Sequence, residues 1–236
     1  MNNQTIAITG GSKGIGKAIA LHFAKNGFRV AVCARNSDSL EQLQREISEV
    51  SPAANHIFFQ ADVTDRKQLL EFAATILQQW KKASVIVNNA GVFLPGQVIS
   101  EEDGVLEKLI QTNLYSAYHF TRAMLPPLIE AKTGAVFNIC SIASLQAYHN
   151  GGSYSISKFG LLGFSKALRE ELKPHNIKVT SMMPGATLTD SWKGTELDAN
   201  RFISAADIGK LVFDLYQLSP SAVVEDITIR PLPGDI

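Results

Sequence analysis

The 236-residue chain carries 22 acidic and 22 basic side chains, so its formal net charge is zero. It therefore lacks the basic excess that attracts nucleic acid or an anionic membrane, and we expect neither as a partner. An apolar content of 45% and a charged content of 19% are typical of an ordinary globular protein, and the length suits one large domain.

The chain offers few features of a secreted, membrane-spanning or metal-binding protein. Its first residues, MNNQTIAITGG, lack the basic region and long apolar run of a secretory signal. No stretch approaches the roughly 20 apolar residues that span a bilayer. Cys33 and Cys140 fall in predicted buried strands, where reduced thiols are typical of a cytoplasmic protein. The five histidines lack metal-ligand spacing, so we expect a cytoplasmic protein without a metal site.

Short runs rich in valine and isoleucine alternate along the chain with longer helix-like segments. This alternation predicts a single α/β domain over residues 1–236, a doubly wound (Rossmann-type) parallel sheet of about seven strands with helices on both faces. The predicted strands are Thr5–Thr9, Arg29–Ala34, His56–Gln60, Val85–Asn88, Ala135–Ile139, Lys178–Met182 and Val223–Ile229. The predicted helices are Gly14–Asn26, Ser39–Val50, Arg66–Trp80, Leu106–Leu125, Ser153–Leu172 and Ala205–Leu218.

A glycine-rich segment, TGGSKGIG at residues 9–16, joins the first predicted strand to the first predicted helix. Glycines let the backbone turn tightly and approach a pyrophosphate, and a helix amino terminus supplies N–H groups and a positive dipole end. Glycine-rich turns are common, but this one stands in the strand–loop–helix context that dinucleotide binding requires. Ligands of doubly wound sheets bind beyond the carboxyl ends of the strands, where this loop is predicted.

The G-x-x-x-G-x-G spacing of this loop resembles that of the short-chain dehydrogenase/reductase family, whose motif is TGxxxGxG. Further family motifs follow in register through almost the whole chain. The resemblance implies an oxidoreductase that binds a nicotinamide dinucleotide. The matching residues are Thr9, Gly10, Gly14, Gly16, Asp62, Val63, Asn88, Asn89, Ala90, Gly91, Asn113, Ser141, Tyr154, Lys158, Pro184 and Gly185.

The resemblance also implies where the cofactor binds. Asp62 would hold the adenine ring, although a helix cap would equally explain this aspartate. Asn89–Gly91 would line the central cleft, although the same residues would form a turn after the fourth strand. Thr189 and nearby backbone would meet the nicotinamide carboxamide. The expected cofactor-binding residues are Gly10, Ser12, Lys13, Gly14, Ile15, Gly16, Arg35, Asn36, Asp62, Val63, Asn89, Ala90, Gly91, Tyr154, Lys158, Pro184, Gly185, Thr187 and Thr189.

The end of the second strand favours NADP(H) over NAD(H). An acidic residue at this point usually binds both ribose hydroxyls and repels a 2′-phosphate. Here Arg35 follows the strand instead, and Lys13 adds a cation in the glycine loop. Two cations suit a phosphate through charge-assisted hydrogen bonds, although both could be ordinary surface charges and Asp38 lies close in sequence.

Tyr154 and Lys158 are four residues apart on a predicted helix and so share one face. A nearby ammonium group favours the phenolate, so we expect the pKa of Tyr154 to lie below its ordinary value of about 10. By resemblance, Tyr154 donates a proton to the carbonyl oxygen, and Ser141 steadies the charge that develops there. Lys158 would bind the nicotinamide ribose, and Asn113 would hold a water in a proton relay.

The residue patterns leave simpler interpretations open for two of these positions. Asn113 could be a polar residue on an amphipathic helix, and Ser141 could belong to an ordinary turn at the end of a strand. A Tyr-x-x-x-Lys pair by itself is also common in helices.

The substrate pocket is expected between residues 92–96, 145–152 and a substrate loop at about 186–201. Its candidate lining residues are Phe93, Leu145, Tyr148 and Trp192, although such aromatic side chains often serve only in packing. The segment Pro184–Trp192 and the carboxyl-terminal residues resemble the bacterial sepiapterin-reductase-like branch of the family. The resemblance implies a small-molecule carbonyl substrate, a ketone or diketone possibly like sepiapterin.

Two alternatives remain open for the activity. Relatives that reduce 3-oxoacyl chains on acyl carrier protein resemble the chain equally in the core. They typically carry an arginine in the helix after the Tyr–Lys pair, where this chain has Glu170. A non-catalytic module that senses NADP(H) is the alternative from another class, and measured turnover would separate it from an enzyme.

Relatives in the family associate through the helices that correspond to Leu106–Leu125 and Ser153–Leu172. The second of these has more apolar positions than one buried face needs. We therefore expect a homodimer or homotetramer. The apolar positions in question are Ile156, Phe159, Leu162, Gly163, Phe164, Ala167 and Leu168.

Overall fold

The computed structural model describes residues 4–52, 55–189, 192 and 194–235. Their core is a seven-stranded parallel sheet with the order β3-β2-β1-β4-β5-β6-β7. The doubly wound parallel sheet predicted from the sequence is therefore confirmed. The strands are β1 (Thr5–Thr9), β2 (Arg29–Ala34), β3 (Ile57–Gln60), β4 (Val85–Asn88), β5 (Gly134–Ile139), β6 (Ile177–Pro184) and β7 (Asp226–Ile229). The helices are α1 (Gly14–Lys25), α2 (Ser37–Val50), α3 (Arg66–Trp80), α4 (Val105–Ile110), α5 (Ser116–Met124), α6 (Pro126–Ala131), α7 (Gly152–Leu172) and α8 (Ala205–Tyr216).

Each face of the sheet is covered by its own apolar layer. Side chains alternate along a strand, so Ile6 and Ile8 of β1 enter one layer while Ala7 enters the other. The first layer contains side chains of α1, α2 and α8, such as Phe23. The second contains side chains of α3, α5 and α7, such as Phe72. Burial on both faces explains why the strands are almost continuously apolar.

The helix predicted over Leu106–Leu125 is present as a continuous helical segment over residues 105–124, but it is not a regular α-helix throughout. The segment consists of α4, a π-helical turn at Gln111–Tyr115, and α5. The backbone N–H of Ser116 donates to the carbonyl of Gln111, five residues back. The Ser116 hydroxyl donates to the carbonyl of Thr112 at 2.5 Å. The Ser116 N–H thus skips the Thr112 carbonyl, so the hydrogen bonds of the helix take the five-residue spacing of a π-helix there.

Other element boundaries differ from the predictions by one to three residues, and the start of β7 differs most. β7 begins at Asp226 rather than at Val223, because the carbonyl of Val224 accepts the Thr180 hydroxyl instead of joining the ladder. Cys140 lies just after β5 rather than in it. Both cysteines are nevertheless buried and free, and burial raises the pKa of Cys33 to about 12 and of Cys140 to about 11.

The order of the strands reverses beside β1, since β2 lies on one side of it and β4 on the other. The loops that follow β1, β4, β5 and β6 therefore meet at one edge of the sheet, which is where such sheets bind ligands. Among the described helices, none is both long enough and apolar enough to cross a membrane. The described residues also contain no cluster of three histidine, cysteine or acidic side chains that could hold a metal ion.

Candidate active site

The loops that follow β1 and β4 pack directly against each other. Gly10 has a φ of +64°, and a Cβ there would lie 2.8 Å from the Cα of Ala90. A Cβ on Gly16 would lie 2.7 Å from the carbonyl oxygen of Gly10. The Asn89 amide donates to the carbonyls of Thr9 and Gly10 at 3.1 and 2.8 Å. These contacts leave no room for side chains, so the family's glycine pattern has a physical reason in this chain.

The amino end of α1 is suited to a pyrophosphate. Gly14, with a φ of +53°, opens the helix, and the Lys13 side chain does not cap it. A helix start of this kind presents N–H groups and the positive end of the helix dipole. Ile15 packs against the core beneath, and Thr189, after β6, comes within 3.0 Å of where a Gly14 Cβ would be. The cradle therefore fits the diphosphate of a dinucleotide.

The region expected to bind the adenosine lies around the ends of β2 and β3. Asn36 caps α2 through the Ser39 N–H, and the Ser39 hydroxyl donates to Ser12 at 2.9 Å, which ties this end to the glycine loop. Arg35 and Lys13 are both exposed at this edge.

Two aspartates, Asp62 and Asp65, lie between β3 and α3, and the structure shows which of them caps the helix. Asp65 caps α3 through the N–H groups of Lys67 and Gln68, so the helix-cap interpretation of Asp62 is wrong. Asp62 instead accepts from the backbone N–H and hydroxyl of Thr64 at 2.9 and 2.7 Å. Val63 beside it is buried.

Ser141, Tyr154 and Lys158 come together after β5. Burial raises the pKa of Tyr154, and a hydrogen bond from the Ser141 hydroxyl opposes this rise. The ammonium group of Lys158 lies 5.9 Å from the centre of the Tyr154 ring. It donates to the carbonyl oxygen of Ile139, the last residue of β5, at 2.9 Å. Ser141 also caps the following 3₁₀ turn by accepting from Ala143 at 3.1 Å, so its position at a strand-end turn and its contact with Tyr154 coexist.

The expectation that the pKa of Tyr154 is lowered is contradicted for the cofactor-free protein. Burial penalises the phenolate more than the Ser141 hydrogen bond favours it. The neighbouring amine is itself buried, and burial lowers the pKa of Lys158 to about 8. Its charge is engaged with the Ile139 carbonyl rather than with the phenol.

Asn113 lies in the π-helical turn and is 1% exposed, so it is not a surface residue of an amphipathic helix. Its amide donates to the Val92 carbonyl at 3.0 Å and to the Ser157 hydroxyl at 2.9 Å, while its oxygen accepts from the Val92 N–H at 2.8 Å. The side chain therefore fastens the loop after β4 to α7. Gly91, in the loop after β4, lies close to Lys158, since a Cβ on this glycine would be 3.5 Å from the Lys158 amine.

The loop after β6 closes the site from the other side. Pro184 ends β6, and the N–H of Gly185 donates to the Ile229 carbonyl at 2.8 Å. The Thr187 hydroxyl donates to the Gly185 carbonyl at 3.0 Å, and Thr187 forms a bridge with Ile203. The residues expected to meet the nicotinamide are thus held between β7 and the segment before α8.

A family model described as short chain dehydrogenase matches residues 4–200, which is most of the chain and includes every residue of this site except the segment before α8 and the end of β7. The chain belongs to the short-chain dehydrogenase family. It is therefore an oxidoreductase of a family that uses nicotinamide cofactors, and the resemblance on which the sequence interpretation rested is confirmed.

Individual relatives cover nearly the whole chain at modest identity. The 3-oxoacyl-[acyl-carrier-protein] reductase of Chlamydia trachomatis serovar D is 31% identical over 89% of this chain and 84% of its own length. The sepiapterin reductase of Chlorobaculum tepidum is 29% identical over 98% of this chain and 97% of its own. A metagenomic short-chain oxidoreductase solved in complex with NADP matches with a TM-score of 0.84, at 29% identity and 97% coverage of both chains.

Apolar side chains lie near Tyr154 in this short-chain dehydrogenase. The ring of Phe93 meets Tyr154 edge to face, with 4.9 Å between the ring centres. Phe93, Leu145 and Tyr148 are each between 44% and 47% exposed, so they have apolar surface to offer a ligand. Trp192 packs instead on Phe202, at 4.9 Å between ring centres. Residues 190, 191 and 193 of the expected substrate loop lie outside the described residues.

Sequence reasoning missed one polar contact beside the tyrosine. The carboxylate of Glu101 accepts the backbone N–H of Ser153 at 2.8 Å and also the Ser153 hydroxyl. The two residues are 52 positions apart, so no local motif connects them. The available signal was the Gly151-Gly152 pair at the start of α7, which has no side chain to cap the helix.

Proposed function

We propose that this short-chain dehydrogenase is an NADPH-dependent carbonyl reductase that acts on a small ketone or diketone. The observation that carries the proposal is the convergence of Ser141, Tyr154 and Lys158 beside the glycine cradle. Measured turnover would exclude the alternative of a non-catalytic NADP(H)-sensing module.

The protonation state of Tyr154 suits reduction. When bound, the reduced nicotinamide supplies hydride to the carbonyl carbon. Tyr154, whose phenol is protonated at neutral pH, gives its proton to the carbonyl oxygen. The Ser141 hydroxyl donates to the same oxygen as negative charge develops there. Lys158 holds the nicotinamide ribose, and Asn113 keeps the loop that carries Gly91 against α7.

NADPH is favoured because Arg35 and Lys13 are exposed beside the end of β2, where no acidic residue follows the strand. The similarity to the NADP-bound metagenomic oxidoreductase supports the same choice. Cations at this point attract a 2′-phosphate through charge-assisted hydrogen bonds.

The apolar lining around Tyr154 supports a largely apolar carbonyl compound, and the sepiapterin reductase among the relatives makes a pterin-like diketone one candidate. A 3-oxoacyl thioester on a carrier protein is the second candidate, supported by the relative from Chlamydia. Against it, the exposed Glu170 pairs with Lys173 where such reductases typically carry an arginine. We also propose that the protein is cytoplasmic and forms a homodimer or homotetramer.

A substrate screen tests the proposal. Sepiapterin, α-diketones, quinones and acetoacetyl thioesters are offered with NADPH and with NADH, and the absorbance of the reduced cofactor is followed. We expect turnover of a diketone with NADPH at a clearly higher kcat/KM than with NADH. Equal efficiency with the two cofactors would contradict the cofactor assignment, and binding of NADPH without turnover of any carbonyl would contradict the enzymatic one.

A further inference from the structure

The start of α7 places the proposed proton donor and depends on a partner from elsewhere in the chain. α7 runs over 21 residues from Gly152, and Tyr154 and Lys158 lie in its first two turns. Gly151, the residue before the helix, has no side chain to cap it, and the first turn contains no acidic residue. The first N–H groups of a helix need acceptors from outside the helix.

Glu101 supplies such an acceptor. Its carboxylate receives both the N–H and the hydroxyl of Ser153, the residue directly before Tyr154, and Ser153 is only 3% exposed. Two hydrogen bonds donated by one residue to one carboxylate restrain both the position and the rotation of the first turn of α7.

The neighbouring glycines allow this approach. A Cβ on Gly152 would collide with the Glu101 carboxylate and would lie 2.6 Å from the Gly96 carbonyl oxygen. Gly96 forms a bridge with Gly151, and its N–H donates to the Asn150 carbonyl at 3.0 Å. The segment that carries Glu101 is thus laid directly on the start of the helix.

The segment that carries Glu101 continues the loop after β4, whose Phe93 contacts Tyr154. Phe93 packs on the Tyr154 ring, and Asn113 holds the backbone of Val92. The N–H of Glu101 donates to the Gln97 carbonyl at 2.8 Å, which turns the chain so that the carboxylate faces α7. Phe93 contacts Tyr154 and Glu101 binds Ser153, so one loop contacts the first turn of α7 at two neighbouring residues.

We propose that Glu101 is a positioning residue of the reaction, holding Tyr154 in register with the bound carbonyl through Ser153. This inference rests on the proposed carbonyl reduction. It predicts that kcat depends on the two hydrogen bonds between the side chain at position 101 and Ser153. The negative charge of that side chain is not required. NADPH binding, which we assign mainly to the glycine loop, does not depend on these hydrogen bonds.

The test compares Glu101→Gln, Glu101→Asp and Glu101→Ala. The glutamine amide can accept from the Ser153 N–H and donate to its hydroxyl, so kcat is expected to stay within about twofold of the wild type. Aspartate is one methylene shorter and alanine has no polar atoms, so both are expected to lower kcat about tenfold or more, as misplaced catalytic groups do. The Kd of NADPH, measured by fluorescence titration, is expected to stay unchanged in all three.

Two control variants separate positioning from stability and from surface charge. Phe28→Leu disturbs packing at the amino end of β2, on the far edge of the sheet, and serves as a variant with lowered Tm but normal kcat. Glu102→Ala removes the exposed neighbouring carboxylate and should change neither Tm nor kcat. A kcat loss in Phe28→Leu as large as in Glu101→Ala would reduce Glu101 to a purely structural role.

Outcomes for Glu101 and for the proposed function remain distinguishable. If Tyr154→Phe abolishes turnover while Glu101→Ala and Glu101→Asp keep the wild-type kcat, the positioning role is overturned and the reductase assignment stands. If Glu101→Gln loses as much kcat as Glu101→Ala, charge rather than hydrogen bonding matters, which also overturns it. Turnover that survives in Tyr154→Phe overturns both.

Discussion

Lys158 holds an amine in the protein interior, with the Ile139 carbonyl as its hydrogen-bond acceptor. Burial lowers its pKa from 10.5 to about 8, so between these values the folded protein binds fewer protons than the unfolded chain. The contribution of this group to stability therefore rises as the pH increases from about 8 to 10.5. At pH 7 its burial costs about 3 kcal/mol, since one pKa unit corresponds to about 1.4 kcal/mol.

Lys158→Met should accordingly stabilise the cofactor-free protein while it abolishes turnover. We expect the free energy of unfolding at pH 7 to rise by about 1–3 kcal/mol, because methionine fills the same space without a buried charge. The gain should shrink as the pH approaches 10. Urea unfolding at pH 7 and pH 10 measures both effects. If Lys158→Met is less stable than the wild type at pH 7, the buried ammonium group does not lower the free energy of unfolding, and the prediction is wrong.

Arg35→Ala should weaken the binding of NADPH and leave the binding of NADH unchanged. Loss of one charge-assisted hydrogen bond to the 2′-phosphate costs roughly 1.5–3 kcal/mol, which corresponds to about a tenfold or greater rise in the Kd of NADPH. Arg45→Ala, which removes an exposed arginine from α2, is the matched control. Calorimetric titration with both cofactors gives the comparison, and an equal loss of affinity for NADH would place Arg35 away from the phosphate.

At the scale of elements, the contact between the loops after β1 and β4 is the tightest feature of the cofactor cradle. Gly16→Ala would push a methyl group against the Gly10 carbonyl and the Asn89 side chain. We expect a loss of about 1–3 kcal/mol in the free energy of unfolding, the usual cost of overpacking, together with weaker NADPH binding. Thermal unfolding with and without NADPH measures both, and unchanged values in both would mean that the loops are free to move apart.

Elements whose pattern is local could be predicted from the sequence, and elements decided by distant contacts could not. The alternation of Ile6, Ala7 and Ile8 identifies β1 because both faces of a parallel strand are buried. The π-helical turn at Gln111–Tyr115 has no such pattern, since a shift of the backbone hydrogen bonds by one residue leaves no periodic signal in the sequence. The link from Glu101 to Ser153 joins residues far apart in sequence, and the uncapped Gly151-Gly152 start of α7 does not identify Glu101 as the partner.

The site residues divide in the same way. The glycine loop was predictable because its glycine spacing is a local sequence pattern, and two of its glycines, Gly10 and Gly14, adopt a positive φ. The environment of Tyr154 was not, because its pKa depends on how deeply the folded chain buries it and on where Lys158 directs its amine. Helix spacing places Tyr154 and Lys158 on one face but says nothing about the Ile139 carbonyl to which Lys158 donates.

At the scale of the whole molecule, apolar side chains are exposed on α7 and on the segment that contains α4 and α5. The predicted set on α7 must be corrected, because Leu162 and Leu168 are buried within the subunit. Ile156 and Phe159 are 45% and 44% exposed. Side chains at and near α4 and α5 are exposed as well, namely Leu106, Tyr115 and Tyr118. Exposed apolar surface of this kind commonly marks an interface between subunits.

We expect a dimer or tetramer that uses this surface, and Phe159→Arg should shift it towards the monomer. A buried arginine without a partner is costly at an apolar interface. Val50→Arg, which changes an exposed apolar residue on α2, is the control and should leave the assembly intact. Light scattering at micromolar concentration reports the mass, and a monomeric wild type would contradict the assembly.

The most direct test of the whole account is the turnover of Tyr154→Phe on a carbonyl compound that the wild type reduces well. The change removes one hydroxyl and almost no volume, so the fold and the affinity for NADPH should persist. Turnover with NADPH should fall by a factor of about a hundred or more, the usual scale for a positioned proton donor. Near wild-type turnover in this variant would contradict the assignment of the site.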